Sequence, residues 1–517
     1  MSLAGDRDLG SGPSIDSNPS SRMSDEADVI VVGGGGSGLA AAASAAEHGA
    51  SVLLLERESA LGGTTGIAVG SFTANRTRHQ QAASIVDTLD DHAVDAGQFA
   101  PTQIEACNNE PLRRFFLTHA AETLEWLEHM GLTFHGPSHE PPNRVPRMHN
   151  VVPGAKAYIA ALQTRLLQHG GRVICGADVR QILRGDDGVE GVLAQVDGSD
   201  RPFLARRGVV MAAGDYTNSP TLISRFKGER FSGVEGINPR STGDGHLMCE
   251  SVGAQLVNMD ITYGPELRFV APLGKRTFQQ LLPSRGPLLG LAGKILPMMP
   301  KSIMSALIRR LLVTWQHPED ALFDDGAILL NNRGERFCDE RVPVERELAI
   351  ADQPDKQCYI LLDEALQVRY SEWPNFISTA PKIAYAYVQD YLRLRPDVAV
   401  RGSLEQVARR RQLPLDSIQQ AVENVDVERG DVGVLHHLQG KDWALLGPAK
   451  AYFTTSEGGV AIDEQFRALD EANQPIEGLY AIGQNGLGGQ ILWGHGLHIA
   501  WAMTSGRLVG RQLAGVR

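Results

Sequence analysis

The sequence has few residues of the kinds that indicate disulfide-bonded, metal-binding, membrane-spanning or nucleic-acid-binding proteins. Its 517 residues include five scattered cysteines without Cys-x-x-Cys spacing, so neither a disulfide framework nor a metal site is indicated. No apolar run reaches the ~20 residues that a membrane-spanning helix needs. Acidic side chains outnumber basic ones by 61 to 49, and the resulting formal charge of −12 argues against nucleic acid as a partner.

The amino-terminal segment lacks the features of a targeting sequence. Residues 1–24 are rich in Ser, Gly, Pro and Asp, and they have neither the basic start nor the apolar core of a secretory signal. This composition predicts a disordered tail. Because the scattered cysteines favour a reducing compartment, we expect a cytoplasmic protein.

Glycine, by contrast, is abundant, with 56 residues, and its most informative cluster follows the apolar residues 29–32. Gly33, Gly35 and Gly38 form G-x-G-x-x-G, which leads into an Ala-rich helix and then into a second apolar strand that ends in Glu56. These glycines allow a tight turn, approach of a pyrophosphate to the backbone, and close packing of helix on strand. The helix N-terminus can face phosphates, and Glu56 can accept hydrogen bonds from a ribose. This succession of strand, glycine turn, helix and strand predicts a binding site for a dinucleotide.

The remaining pattern alternates helices with apolar strands and predicts an α/β fold. Helices are expected near residues 111–130, 155–168 and 499–513, and strands near 173–174, 189–196, 208–214 and 478–483. Residues 263–325 interrupt this alternation and carry many prolines. The length is sufficient for two or three domains.

Residues 301–315 form an amphipathic stretch within that interruption. An apolar stripe runs through Ile303, Leu307, Leu311 and Trp315, with basic residues off the stripe or at its edge. One interpretation is a helix that packs on the substrate domain. The other is a helix at a membrane surface that admits a lipophilic substrate, which would make the protein peripherally membrane-associated.

Several motifs, in order, resemble those of the FAD-dependent fumarate reductase and 3-ketosteroid dehydrogenase superfamily. Besides the G-x-G-x-x-G unit with Glu56, they are Gly62-Gly63-Thr64-Thr65, residues 209–214, Thr242-Gly243-Asp244-Gly245, residues 331–340, residues 478–483 and Thr504-Ser505-Gly506-Arg507.

The resemblance implies a Rossmann-like FAD-binding domain built from both chain ends, residues 25–262 and 453–517. An α+β capping and catalytic domain, residues 263–452, is inserted between them, and the substrate is expected at their interface. The cofactor positions that carry over are Gly33, Gly35, Gly36, Ser37, Gly38, Glu56, Arg57, Gly62, Gly63, Thr64, Thr65, Ala213, Gly214, Asp244, Gly483, Gln484, His498 and Ile499. Since no histidine stands in residues 62–65, where covalently flavinylated relatives carry one, we expect non-covalent FAD.

The implied reaction moves a hydride between the flavin and a carbon β to a carbonyl or carboxylate, and a proton to or from the α carbon. The polar anchors of fumarate reductases fall on Trp493, Val344, Phe323 and Thr455. Arg341 and Arg346 lie near Val344 in the sequence, so the alternative that one of them replaces the proton-delivering arginine of fumarate reductases stays open. A dicarboxylate needs bidentate cations, whereas these positions predict an apolar pocket and a lipophilic, ketosteroid-like substrate.

The ketosteroid dehydrogenase pattern is also incomplete. The glycine that polarises the ketone corresponds to Gly496, but the two tyrosines of that branch fall on Leu492 and Val344. Three other residues are candidates for the proton carrier: His495, which is flanked by glycines, Tyr263 and His149. An imidazole suits proton transfer near neutral pH.

Three hypotheses follow for function. The first is an α,β-dehydrogenase or ene-reductase of a lipophilic carbonyl compound, with His495, Tyr263 and Gly496 as catalytic residues and Trp493, Leu492, Val344, Thr455 and Phe323 around the substrate. The second is a reductase of a small unsaturated acid, as fumarate or urocanate reductases are. The third is a flavoprotein of other chemistry, such as an amine or alcohol oxidase. No haem-attachment motif occurs, so we expect a separate electron acceptor or donor.

Overall fold

The computed structural model describes residues 25–270, 313, 317–380, 384–429 and 438–516. The predicted tail, residues 1–24, and the amphipathic stretch, residues 301–315 apart from Val313, lie outside these described residues. Within the described ranges no helix combines the length and the hydropathy needed to cross a bilayer.

The strands, in chain order, are β1 (Glu26–Val32), β2 (Val52–Glu56), β3 (Ser71–Thr73), β4 (Thr133–Ser138), β5 (Met148–Val152), β6 (Arg172–Cys175), β7 (Asp178–Gly185), β8 (Gly188–Val196), β9 (Ser199–Met211), β10 (Glu235–Gly236), β11 (Leu256–Val257), β12 (Thr262–Tyr263), β13 (Glu266–Phe269), β14 (Ile328–Leu330), β15 (Cys358–Leu362), β16 (Ile377–Ala380), β17 (Ala384–Ala386), β18 (Ala399–Gly402), β19 (Trp443–Phe453), β20 (Thr455–Ser456), β21 (Gly459–Val460), β22 (Arg467–Leu469) and β23 (Pro475–Ala481).

The α-helices are α1 (Gly36–Glu47), α2 (Arg78–Ala82), α3 (Leu89–Ala96), α4 (Thr102–Glu105), α5 (Glu110–His129), α6 (Lys156–Gln168), α7 (Pro220–Lys227), α8 (Asp244–Ser251), α9 (Ala321–Asp324), α10 (Glu345–Ala351), α11 (Glu364–Arg369), α12 (Val388–Leu394), α13 (Leu404–Arg411), α14 (Leu415–Arg429) and α15 (Leu497–Leu513).

The largest sheet has eight strands, with a mostly parallel path β22-β23-β9-β1-β2-β6 and the antiparallel hairpin β7–β8 attached to β9. In register, Ile30 of β1 lies between Leu53 of β2 and Val209 of β9, and all three are fully buried. A parallel sheet covered on both faces requires such continuous apolar strands. Both chain ends contribute to it, because β23 pairs with β9 in parallel.

Helices α1 and α15, which come from opposite ends of the chain, pack against each other. Their backbones approach so closely that a Cβ at Gly506 would lie 2.4 Å from the Ser37 carbonyl oxygen, and one at Gly510 would lie 2.5 Å from that of Ala41. The small residues at this crossing therefore set the distance between the amino-terminal and carboxyl-terminal segments of the site.

The second large sheet has six strands, and the long strand β19 pairs with β10, β13, β15 and β18. Its buried side chains form a core distinct from that of the first sheet. Tyr216, Leu222 and Val234 belong to this second core although they precede residue 263. The domain limits expected at 262/263 and 452/453 stay a prediction.

The elements expected from periodicity are confirmed at most positions. The predicted helices at 111–130, 155–168 and 499–513 are α5, α6 and α15. The predicted strands correspond to β6, β8, β9 and β23. The mixed α/β architecture, with a mostly parallel sheet built from both chain ends, is likewise confirmed.

Candidate active site

A cavity of about 900 Å³ extends from the glycine-rich turn after β1, past the N-terminus of α15, to residues of the second sheet such as Arg268. One half is lined by the glycines at residues 33–36 and 62–63, and the other half by residues of the second sheet and of the loop 494–496. The cavity therefore has two parts. The glycine-lined part is called the cradle, and the part lined by polar and apolar side chains of the second sheet and of residues 494–496 is called the chamber.

The cradle is formed by the turn between β1 and α1. Gly33 has a φ of +106°, and a Cβ there would lie 2.4 Å from the Ala212 carbonyl oxygen, so this position excludes any other side chain. The first turn of α1 has no side-chain cap at Gly35, and Gly35 and Gly36 line the cavity. Uncapped backbone N–H groups at a helix N-terminus are well suited to bind phosphate.

Glu56 closes the cradle at the end of β2. Its Oε2 accepts a hydrogen bond from the Gly34 backbone N–H at 2.6 Å, and its Oε1 accepts one from the Glu58 N–H at 2.8 Å. The carboxylate is thereby fixed in orientation while it still lines the cavity. Nearby, Arg57 is paired with Asp244 at 2.6 Å, and both line the same end.

The N-terminus of α15 forms the middle of the cavity. Gly496 is the N-cap in the left-handed conformation, with φ of +92° and no side-chain cap, and Gly496, His498 and Ile499 line the cavity. The His498 ring is hydrogen-bonded to the side chains of Gln484 and Glu457. Thr73 anchors the preceding loop, since its hydroxyl donates to the His495 carbonyl oxygen at 2.7 Å.

His495 projects into the chamber and is held by Glu140, which lies between β4 and β5. Glu140 Oε1 is 2.5 Å from the ring Nδ1 and accepts the His495 backbone N–H at 3.0 Å. Glu140 itself is 5% exposed, so its charge is little screened by water. Desolvation lowers the pKa of His495, but the hydrogen bond and charge of Glu140 outweigh it and raise the pKa above the ordinary value.

A second charged group lies on β13. Alternate residues of a strand share a face, and Arg268 Nη2 is 2.7 Å from Glu266 Oε2. The Thr454 hydroxyl donates to the same oxygen at 3.0 Å, and His317 Nε2 lies 4.0 Å from Glu266 Oε1. Burial raises the pKa of Glu266, but the charge of Arg268 and the hydrogen bonds from Arg268 and Thr454 outweigh it, and the pKa lies below its usual value.

Aromatic side chains form the remaining wall. Tyr263 lines the cavity on β12, opposite Thr455 of β20, and its ring packs edge-on against Trp493 at 5.1 Å between centroids. Burial raises the pKa of Tyr263 to about 12, so its phenol is a hydrogen-bond donor at neutral pH. Phe376 and Ile377 add apolar surface.

Most of the sequence-predicted site residues lie around this one cavity. Those that line it are Gly33, Gly35, Gly36, Ser37, Glu56, Arg57, Gly62, Gly63, Thr64, Thr65, Ala213, Gly214, Asp244, Tyr263, Thr455, Gln484, His495, Gly496, His498 and Ile499. Gly38 and Gly483 instead support it from behind: a Cβ at Gly38 would lie 1.9 Å from the Gly33 carbonyl oxygen, and one at Gly483 would lie 2.5 Å from Ser37 Oγ.

Five other candidates lie away from the cavity. Phe323 is fully buried in the second core, with the Arg346 guanidinium 4.7 Å above its ring. Val344 is 38% exposed at the start of α10, and Leu492 is fully buried. Trp493 stands behind Tyr263. His149 is buried against Thr77 at 3.0 Å, and burial lowers its pKa to about 4.

Sequence reasoning missed Arg268, His317 and Glu319, which line the cavity, and Glu140, which supports His495. Arg268 and Glu266 alternate along a short strand, which is a weak signal for one polar face. Glu140 lies 355 residues from His495, and nothing in its local sequence indicates that pairing. The pocket is therefore less apolar than expected.

The comparisons with known proteins agree with this geometry. The family described as "FAD binding domain" matches residues 28–268 and 285–491. A cytochrome-type fumarate reductase of Shewanella frigidimarina is 25% identical over 511 residues, which covers 96% of this chain and 78% of that protein.

Two solved structures share the fold. The open conformation of a flavocytochrome c3 fumarate reductase has a TM-score of 0.71 at 20% identity, and the alignment covers 99% of this chain and 82% of that one. A 3-ketosteroid Δ1-dehydrogenase from Sterolibacterium denitrificans, in complex with 1,4-androstadiene-3,17-dione, has a TM-score of 0.62 at 18% identity, with coverage of 95% and 100%.

The residues present fit FAD. The glycine turn leaves no space for a Cβ at Gly33, the N-terminal turn of α1 is uncapped, and the fixed Glu56 carboxylate lines the same end of the cavity. These features and the family match together carry the assignment. The chain belongs to the family described as "FAD binding domain" and is an FAD-dependent oxidoreductase.

Proposed function

We propose that the protein oxidises or reduces the C–C bond next to the carbonyl of a compound with an apolar body and one polar end. The observation that carries this proposal is the His495–Glu140 pair, which faces the cavity directly before the N-terminus of α15. Bound FAD supplies the hydride chemistry, and the protein supplies orientation, a proton carrier and charge stabilisation.

His495 is the proton carrier in this proposal. In the direction of reduction, its protonated imidazole gives a proton to the substrate α carbon; in the direction of oxidation, the neutral ring removes it. Glu140 Oε1 accepts one hydrogen bond from the ring Nδ1 and one from the His495 backbone N–H, which fixes the ring and favours its protonated form. Tyr263, whose pKa burial raises to about 12, serves as a neutral donor to a substrate oxygen.

The charge balance of the chamber supports a substrate with one polar end. Arg268 is paired with Glu266, and His495 with Glu140, so each of these cations already has a carboxylate partner. Burial also lowers the pKa of His317, which favours its neutral form. Among the described residues, no surplus of positive charge is present to bind two carboxylates, which need strong charge-assisted hydrogen bonds.

The aromatic wall supports an apolar body. Tyr263, Phe376 and Ile377 contact the cavity, and Trp493 backs the Tyr263 ring. Such a wall favours contact with a hydrophobic or aromatic ligand over contact with a small dicarboxylate. The ketosteroid-like substrate expected from the sequence is the corresponding finer proposal.

A second candidate is reduction of a small unsaturated acid. Arg268 in the chamber and the 25% identity to a fumarate reductase favour it. In that case Arg268 would exchange Glu266 for the substrate carboxylate. For either candidate, electrons are exchanged with a separate carrier.

The two candidates are distinguished by the absorbance of the bound flavin under anaerobic conditions. Oxidised holoprotein is mixed with saturated ketones, including 3-oxosteroids, and in parallel with succinate; chemically reduced holoprotein is mixed with the unsaturated ketones, fumarate and urocanate. We expect bleaching or recovery of the oxidised flavin band with the ketone series. A response to the acids alone would refute the proposal in favour of the second candidate.

A further inference from the structure

A hydrogen-bonded chain of side chains lies behind the middle of the cavity, at the first turn of α15. The Gln484 amide nitrogen donates to the Ser456 carbonyl oxygen at 2.5 Å and to Thr455 Oγ1 at 2.7 Å. His498 Nδ1 lies 2.8 Å from Gln484 Oε1, and His498 Nε2 lies 2.9 Å from Glu457 Oε1. Gln484 and His498 both line the cavity.

The orientation of the Gln484 amide is fixed by its partners. A backbone carbonyl oxygen only accepts hydrogen bonds, so the group that faces Ser456 must be the amide nitrogen. The amide oxygen therefore faces His498. Because that oxygen is also only an acceptor, His498 Nδ1 must carry a hydrogen.

The other ring nitrogen faces a buried carboxylate. Glu457 is fully buried, and its second oxygen accepts the Leu492 backbone N–H at 2.9 Å. A buried carboxylate keeps its charge when a hydrogen-bonded cation lies beside it, and His498 Nε2 is the ring nitrogen that faces Glu457 Oε1. Its remaining oxygen therefore accepts from His498 Nε2, and both ring nitrogens of His498 donate, which is the pattern of an imidazolium.

We propose that His498 is a fixed cation that stabilises the reduced state of bound FAD and raises its reduction potential. Reduction adds electron density to the isoalloxazine, and charge beside that ring tunes its electronics. His498 lies in the first turn of α15, where the positive end of a 17-residue helix dipole adds to the same effect. The inference rests on the proposed function only in placing the reactive ring between the cradle and His495.

The first test is the reduction potential of the holoprotein, measured by anaerobic equilibration with redox dyes. His498→Gln keeps hydrogen-bonding capacity but removes the charge. We expect at least a tenfold shift of the reduction equilibrium towards oxidised FAD, which corresponds to about 30 mV for a two-electron couple. An unchanged potential with FAD still bound would overturn the proposal.

A matched control is available in the pair His79–Glu128. His79 Nε2 lies 2.7 Å from Glu128 Oε1, and the His79 side chain is 24% exposed, against 23% for His498. His79 does not line the cavity. The variant His79→Gln should leave the potential unchanged, and an equal shift in both variants would contradict a local effect of His498.

The second test measures the protonation of the His498 ring directly. In holoprotein with ¹⁵N-labelled histidine, nitrogen NMR at neutral pH should show hydrogens on both ring nitrogens of His498, with the signal assigned by selective labelling or by its loss in His498→Gln. A ring with one protonated nitrogen would overturn the proposal. Because neither test uses turnover of a substrate, failure here is distinguishable from failure of the proposed reaction.

Discussion

His495 Nδ1 lies 2.5 Å from Glu140 Oε1, and the same carboxylate oxygen accepts the backbone N–H of His495 at 3.0 Å. The two contacts fix both the ring and the loop between Gly494 and Gly496. A buried carboxylate thus positions an imidazole that is exposed to the cavity, the arrangement that general acid–base catalysis requires.

The pair predicts a pH dependence. Desolvation lowers the pKa of His495 and Glu140 raises it more, while Arg268, Glu266 and His317 are the other charged or titratable groups nearby. Reduction of substrate should therefore proceed while His495 is protonated and decline as pH rises through the raised pKa. In Glu140→Gln that pKa falls, so the decline should move to lower pH. The measurement is the rate of single-turnover flavin reoxidation against pH.

A shift of that decline to higher pH, or none, would contradict the role of Glu140. FAD content provides the control, because Glu140 lies apart from the glycine turn, and the variant should bind FAD as the unmodified protein does.

The absence of a histidine in residues 62–65 predicts dissociable FAD. Denaturation followed by ultrafiltration should release the yellow flavin into the filtrate, with none retained on the polypeptide. Flavin absorbance that stays with the denatured chain would show a covalent link and refute this expectation.

The close approach at Gly38 predicts a loss of cofactor binding on substitution. In Gly38→Ala the new Cβ would meet the Gly33 carbonyl oxygen at 1.9 Å, so the turn must open. We expect at least tenfold weaker FAD binding, measured by flavin fluorescence during titration of the apoprotein. Gly233→Ala is the matched control, because its Cβ would meet only Ala351 at an ordinary 3.7 Å.

A buried ion cluster predicts a large stability effect. Arg147 is fully buried and pairs with Asp87 at 2.7 Å and with Asp95 at 2.5 Å. Arg147→Ala leaves two buried carboxylates without this partner, a change that costs about 3–5 kcal/mol of the free energy of unfolding. Urea denaturation should show a clearly lower midpoint. Arg206 is exposed and pairs with Asp28, so Arg206→Ala should lower the free energy of unfolding by no more than about 1 kcal/mol. An equal loss of stability in the two variants would contradict a special role of the buried cluster.

The parts of the site that the sequence predicts are those built from neighbouring residues. The glycine turn, α1 and Glu56 belong to one βαβ unit, whose local pattern determines its geometry. The loop around His495 was also found, since glycines flank the histidine.

The parts that escaped prediction depend on long-range pairing. Glu140 reaches His495 from the connection between β4 and β5, and Arg268 enters the chamber because β13 pairs with β19. The family resemblance implies Phe323 and Val344 as positions along the chain, but it does not determine the directions of their side chains. Phe323 turned into the second core beneath Arg346, and Val344 lies at the partly exposed start of α10.

The most direct test of the account is the single-turnover reoxidation of reduced holoprotein by an unsaturated ketone, compared between the unmodified protein and His495→Ala at equal FAD content. We expect a rate at least tenfold lower in the variant, since general acid catalysis typically contributes about 10²–10⁴-fold. Equal rates in the two proteins would contradict it.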